Sequence, residues 1–343
     1  MLSAIGSDGR MYYSGAIPSP KSRDYFCPRN NCGQEVSHVA GHLRSLQFRV
    51  AEHFRHCSEP GHPVKHFTWQ TGNIVSALQD NFRKVPGFDI SYDKVFTDPR
   101  LKQEYYAELC IKDKVLGNET AVRIESEGFD SEELHAMMRC LSSQKVFTML
   151  LLSAQGKSNS AGRYYRDVAP DELLRNPQRR GVKNIRGNEL AIAELLASSA
   201  PRMAYFDHDK QEFVVAKLAK YCENRQYDYR EQEWVDGYTE FRTKKMPLEL
   251  CRGRLFVPRY APLQNGLRVA FPYVLDDEHR AAWGALVRMK EAIDRNDEDE
   301  AESAEEEFCI ITENLKDDDL VVKKHWRLRE LVRAQRPAGN TSE

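Results

Sequence analysis

The feature that most constrains the fold is the run from residue 104 to 154, EYYAELCIKDKVLGNETAVRIESEGFDSEELHAMMRCLSSQKVFTMLLLSA. Two β-rich segments, YYAELCI and TAVRIES, flank the turn dipeptide Gly117-Asn118, which signals a hairpin. Ser131 suits a helix N-cap, with Glu132 and Glu133 in the first turn, and Leu134, Met137, Met138 and Leu141 then recur at helical spacing. The segment VFTMLLL is continuously apolar, as expected of a central strand covered on both faces. Strand, helix and buried strand make a βαβ unit with a right-handed connection, so the chain is expected to build a mixed sheet flanked by helices.

A second constraint lies near the start. Cys27 and Cys32 in YFCPRNNCGQ form a C-x4-C pair, and His53 and His56 in EHFRHC form an H-x2-H pair. A structural zinc site takes four soft or borderline ligands, commonly supplied as two close pairs. Pro28 and Asn30-Asn31 suit a tight knuckle at the first pair, and Phe26 and Phe54 could pack beside a metal. Six of the ten histidines fall within residues 1–66, which favours ligation over a chance buried cysteine pair with surface histidines. The fourth ligand stays open: Cys57 and His62 compete with His56, and His38 and His42 form another pair.

Composition narrows the class. With 343 residues, 41% of them hydrophobic and 30% charged, the chain can bury a sizeable core in two or three domains. Its longest apolar run, VFTMLLLSA, is far short of the roughly 20 residues needed to cross a bilayer. The opening MLSAIGSDGRMYYSG has neither a basic nor an apolar leader segment, so a cytoplasmic protein without a membrane partner is expected. In a reducing compartment, eight scattered cysteines point to metal binding or core packing rather than a disulfide framework. A formal charge of only -2 confines any nucleic-acid contact to local patches.

The pattern DGRMYYSGAI, DYFCPRNNCGQEVSHVAG and RVAEHFRHC resembles the N-terminal module of the competence protein CoiA-like family, in which a short hairpin leads into a Cys pair and an HFxH signature. The match covers about the first 60 residues, with a wider Cys spacing than is usual in the family. The strand, strand, helix, strand order is also the core of the restriction-endonuclease-like fold found in CoiA-like proteins, with FDSEEL at 129–134 standing where the family has its IS-x-EEL-like segment. The resemblance thus extends to about residue 155 and implies a DNA substrate and Mg²⁺-dependent phosphodiester hydrolysis. That chemistry needs carboxylates to hold the metal, and a Lys or Gln to place the attacking water.

Carried across residue by residue, the family pattern puts Arg123 where the metal-binding Glu belongs and Glu125 where Gln or Lys belongs, an arrangement in which the nuclease motif is degenerate. A second register uses Glu125 and Glu127, two apart on one strand face, with Glu108 supplying the first carboxylate and Lys145 as a possible phosphate-facing cation. The bland alternative makes all three acids solvent-facing charges at a sheet edge.

Elsewhere the signals are weaker. The segment 175–187 carries Arg175, Arg179, Arg180, Lys183 and Arg186 with no acid, so it could bind phosphates or be a solvated loop. MAYFDHDKQEFVVAKLAKY suggests a hairpin across DHDK, where His208 belongs to turn chemistry. Residues 294–307 hold nine acids and one Arg, expected as a solvated helix or acidic linker. The basic segment that follows has an imperfect apolar face of Val322, Trp326, Leu328, Leu331 and Val332, for core packing or a protein partner. The expectation is an α+β protein. It comprises a zinc module at 1–66, a restriction-endonuclease-like domain at 67–158, an accessory α+β region at 159–275 and a helical C-terminal segment at 276–343. Function divides between a CoiA-like nuclease, with Mg²⁺ on Glu108, Glu125 and Glu127, and a non-catalytic zinc-containing DNA-binding or protein-interaction subunit.

Overall fold

The computed structural model describes residues 3–13, 24–28, 32–39, 42–45, 48–50, 53–57, 85–125, 129–153, 182–183, 202–207, 212–220, 226–228, 233–235, 239–247, 256–316 and 319–335, together with helical positions 71, 74, 75, 78, 81, 82, 84, 191, 192, 195 and 196. The chain is mixed α+β, with a small β-rich N-terminal region, a large mixed sheet and C-terminal helices.

The N-terminal strands are β1 (Ser3–Gly6), β2 (Met11–Tyr13), β3 (Tyr25–Phe26), β4 (Glu35–Val39), β5 (His42–Ser45), β6 (Phe48–Val50) and β7 (His53–His56). Five of them form one sheet in the order β2-β1-β3-β4-β7, and β5 and β6 pair as a separate hairpin. Among the described residues of this region the buried hydrophobic ones are Ala4, Tyr25, Cys27, Val36 and Phe54, with the Tyr25 and Phe54 rings edge to face at 5.1 Å.

The large sheet begins with β8 (Phe88–Thr97), β9 (Glu104–Asp113) and β10 (Glu119–Glu125), all antiparallel neighbours. Helix α1 (Ser131–Ser143) then crosses to β11 (Phe147–Ser153), which lies parallel to β10. The hairpin and the βαβ unit expected from residues 104–154 are therefore both present. The turn is built less by Gly117 and Asn118 than by Asp113, whose Oδ1 accepts the backbone N–H groups of Val115 and Leu116, while Gly117 takes φ +69°. The α1 N-cap is Asp130, one residue before the expected Ser131: its carboxylate accepts the Glu132 N–H. Leu134, Met137, Met138 and Leu141 all face the core.

The sheet continues through β12 (Val182–Lys183), β13 (Arg202–Asp207) and β14 (Glu212–Lys220), past a separate hairpin of β15 (Gln226–Asp228) and β16 (Glu233–Val235), to β17 (Thr239–Pro247), β18 (Phe256–Pro262) and β19 (Arg268–Val274). Its order is β12-β17-β14-β13-β11-β10-β9-β8. β11 gives one edge to β10 and divides the other between two parallel partners, β19 at Thr148 and β13 from Leu151 to Ser153. A strand so enclosed must be apolar on both faces, which is why Phe147, Met149, Leu151 and Leu152 are all buried. β13 and β14 pair antiparallel from Arg202↔Lys217 to Asp207↔Glu212, as the hairpin reading requires, and residues 208–211 lie outside the described residues.

Three helices close the fold: α2 (Asp277–Arg295), α3 (Glu298–Ile311) and α4 (Leu320–Gln335). α2 lies against the start of β8, where Trp283 stacks on Phe88 at 5.4 Å and donates its indole N–H to the Pro86 carbonyl. Gly87 has φ +81°, and a Cβ there would meet Val287 of α2 at 2.8 Å, so both conformation and close approach demand glycine. The acidic run forms helix α3, capped by Asp297 and anchored by Ala304 and Phe308. The α4 packing face differs from the expected one. Val321, Val322, Lys324, His325 and Leu328 are buried, whereas Trp326 and Leu331 are 52% and 43% exposed, because the docked stripe is rotated toward Val321. Among the described residues no helix is long and apolar enough to cross a membrane.

Candidate functional site

Among the described residues, the candidate side chains from the sequence gather in two places. In the N-terminal region Cys27 follows β3, Cys32 sits on the turn into β4, and His56 ends β7, whose backbone pairs with β4 at Val36. Gly33 at φ +57° lets the chain reverse beside Cys32, and the Cys27 N–H reaches the Gln34 carbonyl at 2.8 Å. The ligand atoms of Cys27, Cys32 and His56 all lie within 4.8 Å of one another, and Cys32 Sγ is 3.7 Å from His56 Nε2. Bonds of about 2.3 Å to sulfur and 2.0–2.1 Å to nitrogen, at a tetrahedral angle, span about 3.6 Å. The group could hold a metal ion. His53 begins the same strand, three positions before His56. The His53 side chain and His62 lie outside the described residues.

The second place is the end of the β9/β10 pair. Ladder pairing runs from Glu119↔Lys112 to Val122↔Leu109. One step further, Arg123 comes opposite Glu108, and side chains take over from the backbone ladder. The Ile124 N–H donates to Glu108 Oε2 at 3.1 Å, and Arg123 Nη1 donates to the Tyr106 carbonyl at 2.9 Å. Arg123 Nε meets Glu125 Oε1 at 2.8 Å. Alternation along β10 places Arg123 and Glu125 on one face, and the register places Glu108 on it too.

The three side chains are almost out of water: Glu108 is 1% and Glu125 6% exposed. Burial pulls the Arg123 pKa down, but the neighbouring Glu108 and Glu125 carboxylates outweigh it and hold the pKa above its ordinary value. The guanidinium thus stays charged, bonded to Glu125 and near Glu108. Glu127 lies outside the described residues. Lys145 is exposed at φ +63° and precedes the start of β11, where Phe147 pairs with Thr120, so it stands at the opposite end of the strands from Glu125. Of the basic segment, Lys183 is described only as backbone of β12 opposite Thr239, and Arg175, Arg179, Arg180 and Arg186 lie outside the described residues, as does His208.

The sequence reading missed two charged residues. Asp93 of β8 takes φ +50° and accepts hydrogen bonds from the Tyr106 hydroxyl and from both the N–H and the hydroxyl of Ser3 in β1. Nothing in the sequence around it announces this. Lys324 of α4 is fully buried against Asp113, with Nζ to Oδ2 at 2.8 Å, and sits 4.2 Å from the Trp283 ring. It could have been found, since it falls three residues after Val321 and four before Leu328, on the apolar stripe.

No family model matches the chain, and neither do any curated protein or solved structure.

Proposed function

We propose that the protein is a nuclease-derived DNA-binding protein of CoiA-like type, carrying a zinc ion in its N-terminal module. The observation that carries the reading is Arg123 bonded to Glu125 and near Glu108 where β9 and β10 part. A guanidinium there suits a phosphate oxyanion better than a divalent cation, because Mg²⁺ would have to displace it to reach both carboxylates. The antiparallel strands, crossover helix and parallel strand that the family resemblance calls for support the same assignment. Zinc is favoured by a donor set of two thiolates and an imidazole, with His53, Cys57 or His62 as the fourth ligand.

A second reading rests on Glu108 and Glu125 sharing one buried face: a Mg²⁺-dependent nuclease in which substrate draws Arg123 away and the two carboxylates hold the metal that activates water. One gel assay separates the two, using wild type, Arg123→Ala and Glu125→Ala with duplex and single-stranded DNA in Mg²⁺ or Mn²⁺. The first reading expects salt-sensitive binding, no cleavage and weaker binding by Arg123→Ala. Cleavage that vanishes in Glu125→Ala favours the second, and cleavage that persists there defeats both. If the 175–187 segment also contacts phosphates, changing Arg179, Arg180 and Lys183 to Ala should flatten the plot of log affinity against log salt by roughly 0.9 per lost contact. Elemental analysis should return zinc in the purified chain, and a protein free of zinc would remove that part of the proposal.

A further inference from the structure

We infer that Asp93 is a positioning residue through which the Cys27/Cys32/His56 module sets Arg123. The inference rests on the roles proposed above for that module and for Arg123, and its observations are a continuous path of bonded groups. Cys27 directly follows β3, and β3 pairs with β1 at Ile5↔Phe26 and Gly6↔Tyr25. β1 is buried at Ser3 and Ala4, and Ala4 shares the small core with Cys27 and Phe54. From β1, the Ser3 hydroxyl donates to Asp93 Oδ2 at 3.0 Å, beside a second bond from the Ser3 N–H. Asp93 also accepts the Tyr106 hydroxyl, and the Tyr106 carbonyl accepts Arg123 Nη1 at 2.9 Å. Arg123 ends the path on Glu125.

The backbone at Asp93 supports a positional role. A non-glycine residue at φ +50° inside a ten-residue strand is strained, and such a conformation persists only where surrounding contacts over-determine it. Here the contacts come from both sides: Ser3 belongs to the metal module, and Tyr106 belongs to the strand that parts from β10. A metal bound by Cys27, Cys32 and His56 would cross-link β3, the turn into β4 and β7, and so order the module. Loss of the metal should therefore loosen β1, release Asp93 and leave the Tyr106 carbonyl free to drift away from Arg123. The opposite end of β9, closed by Asp113 and Lys324, is outside this path and should not respond.

Amide hydrogen exchange of the full-length protein reads this without reference to DNA. The reporters are Ile124, whose N–H is held by Glu108, and Val115, whose N–H is held by Asp113 at the far end. Stripping zinc with a chelator should speed exchange at Ile124 by about tenfold or more and leave Val115 unchanged. Restoring zinc should reverse it. Asp93→Gly relaxes the backbone but deletes the carboxylate, so in the zinc-loaded protein it should reproduce the effect at Ile124 while residues 3–57 stay protected. Acceleration confined to residues 3–57 after stripping would overturn the inference, as would normal Ile124 protection in Asp93→Gly. If the chain binds no zinc the metal assignment falls, and the Asp93→Gly arm still decides whether Asp93 sets the Arg123 end. The absence of DNA binding would defeat the proposed function and leave both arms intact.

Discussion

At one end of the β9/β10 hairpin Asp113 faces Lys324, and at the other Glu108 and Glu125 face Arg123. Both clusters are buried, yet they differ in setting. Asp113 and Lys324 pair one charge with one, at 0% and 3% side-chain exposure. The Tyr260 hydroxyl completes the carboxylate at 3.2 Å, and Trp283 and Tyr260 present their rings to the ammonium. Burial lowers the Lys324 pKa and Asp113 offsets part of that, while burial and Asp113 together raise the Tyr260 pKa well above the ordinary phenol range. At the other end Arg123 is bonded to Glu125 and lies near Glu108, the ladder has ended, and side chains have taken over backbone hydrogen bonds. The first cluster fixes α4 to the sheet, and the second sits where the strands part.

The largest effect should come from breaking the Lys324 end. Lys324→Met leaves Asp113 buried without its cation and should cost about 3–5 kcal/mol of unfolding free energy in a denaturant titration. Adding Asp113→Asn removes the stranded charge but keeps the turn bonds to Val115 and Leu116, so the double variant should recover most of the loss. If the double variant is no more stable than Lys324→Met, the pair is not the clasp described here.

Smaller effects should follow at the Arg123 end. Arg123→Ala leaves Glu108 and Glu125 facing each other and should cost about 1–3 kcal/mol. It should also create a cation site. In that variant Mg²⁺ at about ten times its dissociation constant would return about 1.4 kcal/mol, seen as a rise in Tm of a few degrees. Wild type should show no such rise. An equal Mg²⁺ response in wild type would mean that the guanidinium yields readily, and would favour the catalytic reading.

The smallest effect concerns a third cluster, whose balance depends on pH. His279 lies between two helix-capping carboxylates, Asp276 at the start of α2 and Asp319 at 2.9 Å at the start of α4. Burial lowers its pKa, but the bonds to the two carboxylates outweigh that and leave it raised above the ordinary 6.5. A folded-state pKa above the unfolded one favours folding fully below pH 6.5, and the contribution is lost as pH rises through the folded value. Unfolding free energy should therefore decline modestly with rising pH above 6.5, and His279→Gln should flatten that slope. A profile unchanged by the substitution would show that the clasp does not titrate as described.

Much of the architecture was legible because it is written in local patterns. The hairpin of β9 and β10, helix α1 and the enclosed strand β11 follow from turn residues, helical spacing and a continuous apolar run. The Cys pair and His56 were legible from spacing, since knuckle ligands are close in the chain. His53 shares β7 with His56, and its side chain lies outside the described residues.

What the sequence alone determined here is the type of each element and the residue kinds available at each site, because helical and strand periodicity and turn chemistry act within about ten residues of chain. Only the tertiary structure decided which charges meet. Asp93 finds Ser3 across 90 residues and Lys324 finds Asp113 across 211, encounters set by which sheet faces and helix stripes are left to pack together. The choice at Arg123 was of the same kind: its bond to Glu125 and its approach to Glu108 depend on where the β9/β10 ladder stops, in a strand pair held between β8 and β11.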